Sequence, residues 1–477
     1  MKKHFSYFII ILALVLTLTL SACDISNLVP NTLKFKLSGD GESYSVVGIG
    51  NCTDEDLIIP DTYRGLPVTE IATSAFEACG SIKSVTIPET VTRIGLSAFR
   101  ACQNLESVSI PDSVKGIGNW TFAECHSLKS VKMPCELVSI GREAFAYCEL
   151  LEDIELPNTL TNISMGAFGF CQSLKEINIP DSVTTLAREA FYGCTSLESV
   201  VLGESLTSIE YGAFTYCSAL SSVEMGSKVK YIDDCAFSEC MSLLSIEIPS
   251  SVTKIGQSAF YRCISLASVS IPESVTSIGK WAFEACYALQ GITIPKSVTS
   301  LGDGVFFDCM ALQGVTVDNE TPNYCSVDGN IYSKDMTMLV YYASGKADES
   351  FVMPQSVKLI GNRAFSSAKS LVSVEISELV TGIGEYAFSN CSRLENIVLP
   401  SSVSRIANEA FVNCVSLESV IIPKSVTSVG QLIFANCPEL TIYCEAESEP
   451  TEWDINWNIQ SIPVVWGYTD ESQGTQQ

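Results

Sequence analysis

Apolar and polar positions recur along most of this chain with a period of 23 residues. Taking one phenylalanine as the phase marker, Phe76, Phe99, Phe122, Phe145, Phe168, Phe191, Phe214, Phe237, Phe260, Phe283 and Phe306 follow one another at that spacing. After an irregular gap the pattern resumes at Phe365, Phe388, Phe411 and Phe434. Six residues after each marker stands a leucine, as at Leu105, Leu128, Leu151 and Leu174, with Ile82 as a variant. Nine and eleven residues after it stand aliphatics, as at Val108 and Ile110, and a proline often follows (Pro88, Pro111, Pro180, Pro249, Pro272, Pro400). Later in the unit come Val or Leu (Val91, Val114, Leu137) and then Ile (Ile94, Ile117, Ile140), the second often preceding a glycine.

Two kinds of local structure are predicted from this pattern. LASVSIP, residues 266–272, alternates polar and apolar side chains through Val269, Ser270 and Ile271, the period of a short strand with one buried face. Pro272 lacks an N–H and closes it. Around the phenylalanine, Ala282, Cys286 and Leu289 fall at i, i+4 and i+7, which predicts a short helical stripe. One unit cannot enclose its own apolar side chains, whereas stacked units cover one another, so the expected fold is a repeat solenoid. It should carry a long parallel β-sheet on one face, short helices and turns on the other, and right-handed crossovers. Some fifteen turns at about 4.8 Å each give a sheet roughly 70 Å long. An inserted residue would rotate a turn's apolar set out of the core, which explains the constancy of the period.

The consensus, roughly L-x-x-V-x-I-P-x-x-V-T-x-I-G-x-x-A-F-x-x-C-x-x, resembles the bacterial leucine-rich repeats of the BspA type from Phe76 to Leu440. YSVVGIGNCTDEDLIIPDTYRGLPVTEI resembles that family's N-terminal cap and TIYCEAESEPTEWDINWN its C-terminal one. The resemblance implies a right-handed, curved leucine-rich-repeat superhelix on a surface or secreted protein, with a part in adhesion and protein binding.

The chain then divides as follows. Residues 1–22 combine Lys2 and Lys3, an apolar run from Tyr7 to Leu20, and Leu20-Ser21-Ala22 before Cys23. The run is short for a lasting membrane span. The segment resembles a bacterial lipoprotein signal, which would make Cys23 the lipid attachment site and anchor the protein to the bacterial surface outside the cytoplasm; an ordinary secretory signal is the alternative. Residues 23–31 form a short tether, 32–75 an N-terminal cap with a first irregular repeat, 76–317 and 357–440 regular repeats, and 441–468 a C-terminal cap. Residues 318–356 break the register, and turns at Asp328-Gly329 and Lys334-Asp335 predict a β-hairpin in an enlarged turn. Residues 469–477 are polar and are expected to form a disordered tail.

Charge narrows the partners. With 54 Asp and Glu against 28 Lys and Arg the formal net charge is −26, a surface that repels nucleic acid and anionic headgroups. Of the 20 cysteines, fourteen sit three residues after a phenylalanine, from Cys79 and Cys102 to Cys437, and Ala368 fills that slot in one unit. A small apolar side chain is what the slot requires, so buried, reduced thiols are expected there rather than disulfides or zinc ligands. Cys52, Cys135, Cys235, Cys325 and Cys444 lie outside this row, with their redox states undetermined.

No cofactor motif occurs, and His126, next to Cys125, is the single histidine after residue 22. It fits a surface turn, and no enzymatic activity is expected.

The positions eight and ten residues after each phenylalanine should point outward from the strands. The first is mostly serine; the second varies. Asp153, Glu155 and Glu176 on adjacent turns predict a negative patch with Asn178 beside it, partly offset by Lys129, Lys132 and Lys175, and Glu224 with Glu247 predicts a second. This face suits a basic segment of a protein ligand or cell-surface component. The alternatives are a merely solvated sheet face and, for the whole protein, a structural spacer. Val398 and Ile421 share the outward slot on successive turns, where the C-terminal cap is expected to cover them. Tyr147, Phe170, Tyr192, Tyr216 and Tyr261 should lie on the turns beside the helical stripe.

Overall fold

The computed structural model describes residues 32–469. The chain winds as a parallel β-solenoid of about 18 turns, each with three sides. The first side is a strand of three or four residues, such as Ser84–Thr86, Ser107–Ser109 or Ser130–Lys132. These pair in parallel with residues 23 apart opposite one another: Val85 faces Val108, and Val108 faces Val131. The second side is a two-residue strand, as in Gly116–Ile117, Ser139–Ile140 and Asn162–Ile163, stacked in the same register.

The third side carries the phenylalanine, and here the expected helical stripe is corrected: no helix occurs among the described residues. The residues two before and two after each phenylalanine have positive φ, +53° at Ser97 and +57° at Ala101. The N–H groups of Ser97, Phe99 and Ala101 donate to the carbonyls of Asn119, Thr121 and Ala123 on the next turn, at 3.0, 2.9 and 2.8 Å. A helix would have spent those donors within its own turn. Left-handed backbone costs non-glycine residues roughly 1–2 kcal/mol each. Three inter-turn hydrogen bonds and a buried phenyl ring offset it.

The core follows directly. From Phe76 to Phe306 the rings form one stack with centroids 5.1–5.9 Å apart and planes within 14° of parallel. Beside it runs the sulfur row. From Cys102 onward each thiol in the row donates to the carbonyl of the phenylalanine on the preceding turn, Cys102 to Phe76 at 3.1 Å and Cys125 to Phe99 at 3.2 Å. Alanine would fill this slot without that contact, which accounts for cysteine as the usual occupant. The first member, Cys79, is half-buried rather than enclosed.

The core divides where the register fails. Strands Tyr324–Val327, Asn330–Ser333 and Met338–Tyr341 run antiparallel in sequence, and the last rejoins the solenoid beside Leu359–Ile360. The Tyr341 ring continues the first stack, 5.5 Å from Phe306, and the Tyr342 ring begins the second, 5.2 Å from Phe365. At the C-terminal end, Thr441–Cys444 and Val464–Trp466 extend the strand side. Buried Trp453 and Trp457 close the stack, the Trp453 indole N–H donating to the Val426 carbonyl at 3.2 Å.

Candidate functional site: the strand face

Outward side chains on the strand side are set by the pleat: in Glu176–Asn178, Ile177 points into the core while Glu176 and Asn178 stand in solvent. Lys132, Glu224 and Glu247 hold the corresponding exposed positions on Ser130–Lys132, Ser222–Glu224 and Ser245–Glu247. Asn178, Val201 and Glu224 face one another in sequence across three paired strands.

Asp153 and Glu155 differ. Their turn, residues 151–157, forms no strand. It stands off on both sides: Glu152 N–H reaches the Lys129 carbonyl at 3.4 Å and Lys175 N–H the Glu152 carbonyl at 3.3 Å. The matching bonds from Glu106 to Lys83 and from Glu198 to Lys175 are 2.7 Å. Like charges on facing strands are destabilising, and Asp153 holds the position that the 23-residue register sets opposite Glu176. The sheet parts again between the turns of Glu224 and Glu247. It also parts between Ser268–Ser270 and Gly291–Ile294, where no such charges explain it.

The first parting opens a groove of about 750 Å³ lined by Asp153, Glu155, Glu176, Asn178 and Asp181. The structure therefore brings four of the sequence-derived candidates together. Lys132 lies one turn away, and Glu224 and Glu247 lie on the turns beyond. Asp153, Glu155 and Glu176 have no ion-pair partner among the described residues. Lys129, expected to offset them, is held by Glu106 at 3.0 Å instead. The arrangement attracts cations and hydrogen-bond donors over an open surface.

Two other features stand out. On the turn side the outward aromatics pack on one another, Tyr147 on Phe170 at 4.6 Å and Tyr192 against Tyr216 at 5.4 Å, so Tyr147 and Phe170 turn ring faces toward each other. At the junction of the two solenoid segments the Arg363 guanidinium lies over Trp281 at 5.9 Å and Tyr386 at 4.6 Å. Glycine at 304, with φ +62°, leaves room for this bridge, since a side chain there would meet both Trp281 and the Arg363 stem. Beneath it burial pushes the Glu284 carboxyl up to about 7. Sequence reasoning missed this junction; the glycine in a slot filled by Trp281 one turn earlier was the available signal.

The 19 described cysteines are free. Burial pushes the Cys102 and Cys194 thiols up to about 12, which keeps them protonated and unreactive. Cys135 is exposed, and Asp112 raises its pKa through a hydrogen bond. His126 is half-buried, its Nδ1 3.4 Å from Glu149. No group of three or more His, Cys, Asp or Glu fit to hold a metal occurs among the described residues, and no helix there is long and apolar enough to cross a membrane. Cys23 lies outside the described residues.

Residues 69–198, 184–313 and 340–449 match the family described as BspA type leucine rich repeat region (6 copies). The chain belongs to that family, and no enzymatic family is indicated. Among solved structures it is similar to a leucine-rich repeat protein from Bacteroides ovatus, with 27% identity, 92% of this chain and 99% of that one covered, and a TM-score of 0.49. It is also similar to a leucine rich cell surface protein from Faecalibacterium prausnitzii (25%, 93% and 98%, 0.36). A third is the pneumococcal vaccine antigen PcpA (23%, 92% and 84%, 0.35). A search of curated proteins gave no match.

Proposed function

We propose that this protein is a non-enzymatic binding module outside the cytoplasm, tethered through Cys23, which recognises a protein partner along its strand face. The observation that carries the reading is the acidic groove: Asp153, Glu155 and Glu176 converge on about 750 Å³ of open space without a cation to neutralise them. A carboxylate cluster of this kind favours a Lys- or Arg-bearing segment, and the net charge of −26 speeds its approach while repelling nucleic acid. Successive turns each add a little contact, so an interface of ordinary size needs only a portion of the solenoid. Lys132, Glu224 and Glu247 flank the groove and, with Asn178 on its wall, set its register with the partner.

The test is capture of surface proteins from host and bacterial membranes by the full chain and by an Asp153→Asn, Glu155→Gln, Glu176→Gln variant. The reading expects a bound protein whose recovery falls with added salt and is lost in the variant. Equal recovery by both chains would refute the assignment of the groove, and capture of nothing would favour a spacer.

A further inference from the structure

We infer that the C-terminal part of the strand side is a second, separate docking surface, one that takes an amphipathic helix with basic flanks. Val398, Ile421, Tyr443 and Val465 face one another in sequence across Asn396–Val398, Ser419–Ile422, Thr441–Cys444 and Val464–Trp466. All four project outward from the sheet. Val398 is 68% exposed and Val465 43%, so the cap does not cover the row, contrary to the sequence-based expectation. The cap polypeptide instead adds Val464–Trp466 to the sheet, which lengthens the apolar row by one residue, and its indoles turn into the core. Tyr468 packs at 4.9 Å from Tyr443 and borders the row. Two turns before Val398, Val352 repeats the slot at 64% exposure, with Glu375 between them.

The surroundings decide the occupant. Alongside the row run Asn396, Ser419 and Thr441, short polar side chains that leave the apolar ones standing free. Glu375, Glu395 and Glu418 are exposed on the same turns, and none has an ion-pair partner among the described residues. Arg393 is engaged with Glu349 at 3.0 Å, and Lys424 is the remaining cation close by. A second copy would bring a like-charged face and a like-charged body, each at −26, and is disfavoured. An apolar stripe with Lys or Arg at its edges is complementary in both respects.

Spacing selects the helix. Adjacent strands place the outward side chains about 4.8 Å apart, so three steps span about 14 Å. A helix repeats its stripe every 5.4 Å or so and drifts by about 2 Å over three steps. A strand laid along the axis, repeating every 6.7 Å or so, drifts by about 6 Å. This surface does not depend on the acidic groove, which lies some ten turns away.

The test uses the full chain and a fluorescent peptide of about 16 residues, a designed helix with leucine along one side and lysine at its edges, read by anisotropy. The variant is Val398→Ser with Ile421→Ser, which the fold should accept because Ser109 and Ser270 occupy the same slot elsewhere. Binding is expected to weaken by at least about tenfold in this variant. Both chains carry Asp153→Asn, Glu155→Gln and Glu176→Gln as a common background, so that the acidic groove's own attraction for lysine does not enter the comparison. Three results would overturn the inference: undiminished binding by the serine variant, equally tight binding of the same peptide with glutamate for lysine, or no binding at all. Self-association of the wild type that the serine variant abolishes would also overturn it, assigning the row to a second copy.

Discussion

Replacing Phe191 by alanine probes how stability is distributed along the stack. The ring is fully buried and sits 5.2 Å from Phe168 and 5.6 Å from Phe214, nearly parallel to both. Truncating a buried phenylalanine costs about 3–5 kcal/mol, and losing two ring contacts places this case toward the upper end, about 4–5 kcal/mol. In a solenoid each turn touches only its neighbours, so the loss should stay local. The assay is native-state hydrogen exchange. Phe168, Phe191 and Phe214 N–H donate to Ala190, Ala213 and Ala236 at 2.8, 2.9 and 2.9 Å. Their protection should fall by about three orders of magnitude, since each 1.4 kcal/mol or so is a factor of ten. Phe388 N–H, bonded to Ala410 at 2.7 Å in the second segment, should be unchanged. Uniform loss over both segments, or none near Phe191, would refute the reasoning.

Three further outcomes follow from particular contacts. Burial keeps Glu284 protonated up to about pH 7, whereas the unfolded chain releases that proton near 4.5. Stability should therefore fall as pH rises through this window and stay lower above it. The gap in melting temperature in favour of Glu284→Gln should accordingly widen between about pH 4 and about pH 8; a constant gap would contradict the assignment. A thiol reagent should modify Cys135 in the native chain while the sulfur row from Cys102 to Cys437 reacts only after denaturation, as read by peptide mass mapping; rapid modification of Cys148 or Cys240 would contradict the packing. Gly302→Ala should lower the melting temperature, because a Cβ there would come within 2.2 Å of the Lys280 backbone nitrogen on the preceding turn. An unchanged melting curve would mean that the turns part easily at this corner.

The period was legible because every turn meets the same neighbours, so one residue type per slot is selected again and again. Phe99, Cys102, Leu105 and Val108 could be assigned to the core from phase alone, and they are buried. The helical stripe was misread because spacings of four and seven at Ala282, Cys286 and Leu289 serve a tight left-handed turn equally well. What separates the two is where the N–H of Phe283 goes, and it goes to Val305 on the next turn. The candidate carboxylates could be named from sequence, but the groove depends on residues 151–157 leaving the sheet, a balance of facing turns that no single unit reveals. Arg363 over Trp281 was equally hidden, since 82 positions separate them and an irregular segment, with Tyr341 against Phe306 and Tyr342 against Phe365, lies between.

The most direct measurement is hydroxyl-radical footprinting of the full chain alone and bound to the protein it captures. Protection is expected at outward strand positions, centred on residues 153–181, with Tyr147, Tyr216 and Tyr261 on the turn side as reactive as before. Protection concentrated on those tyrosines, with the strand side unaltered, would contradict recognition through the strand face.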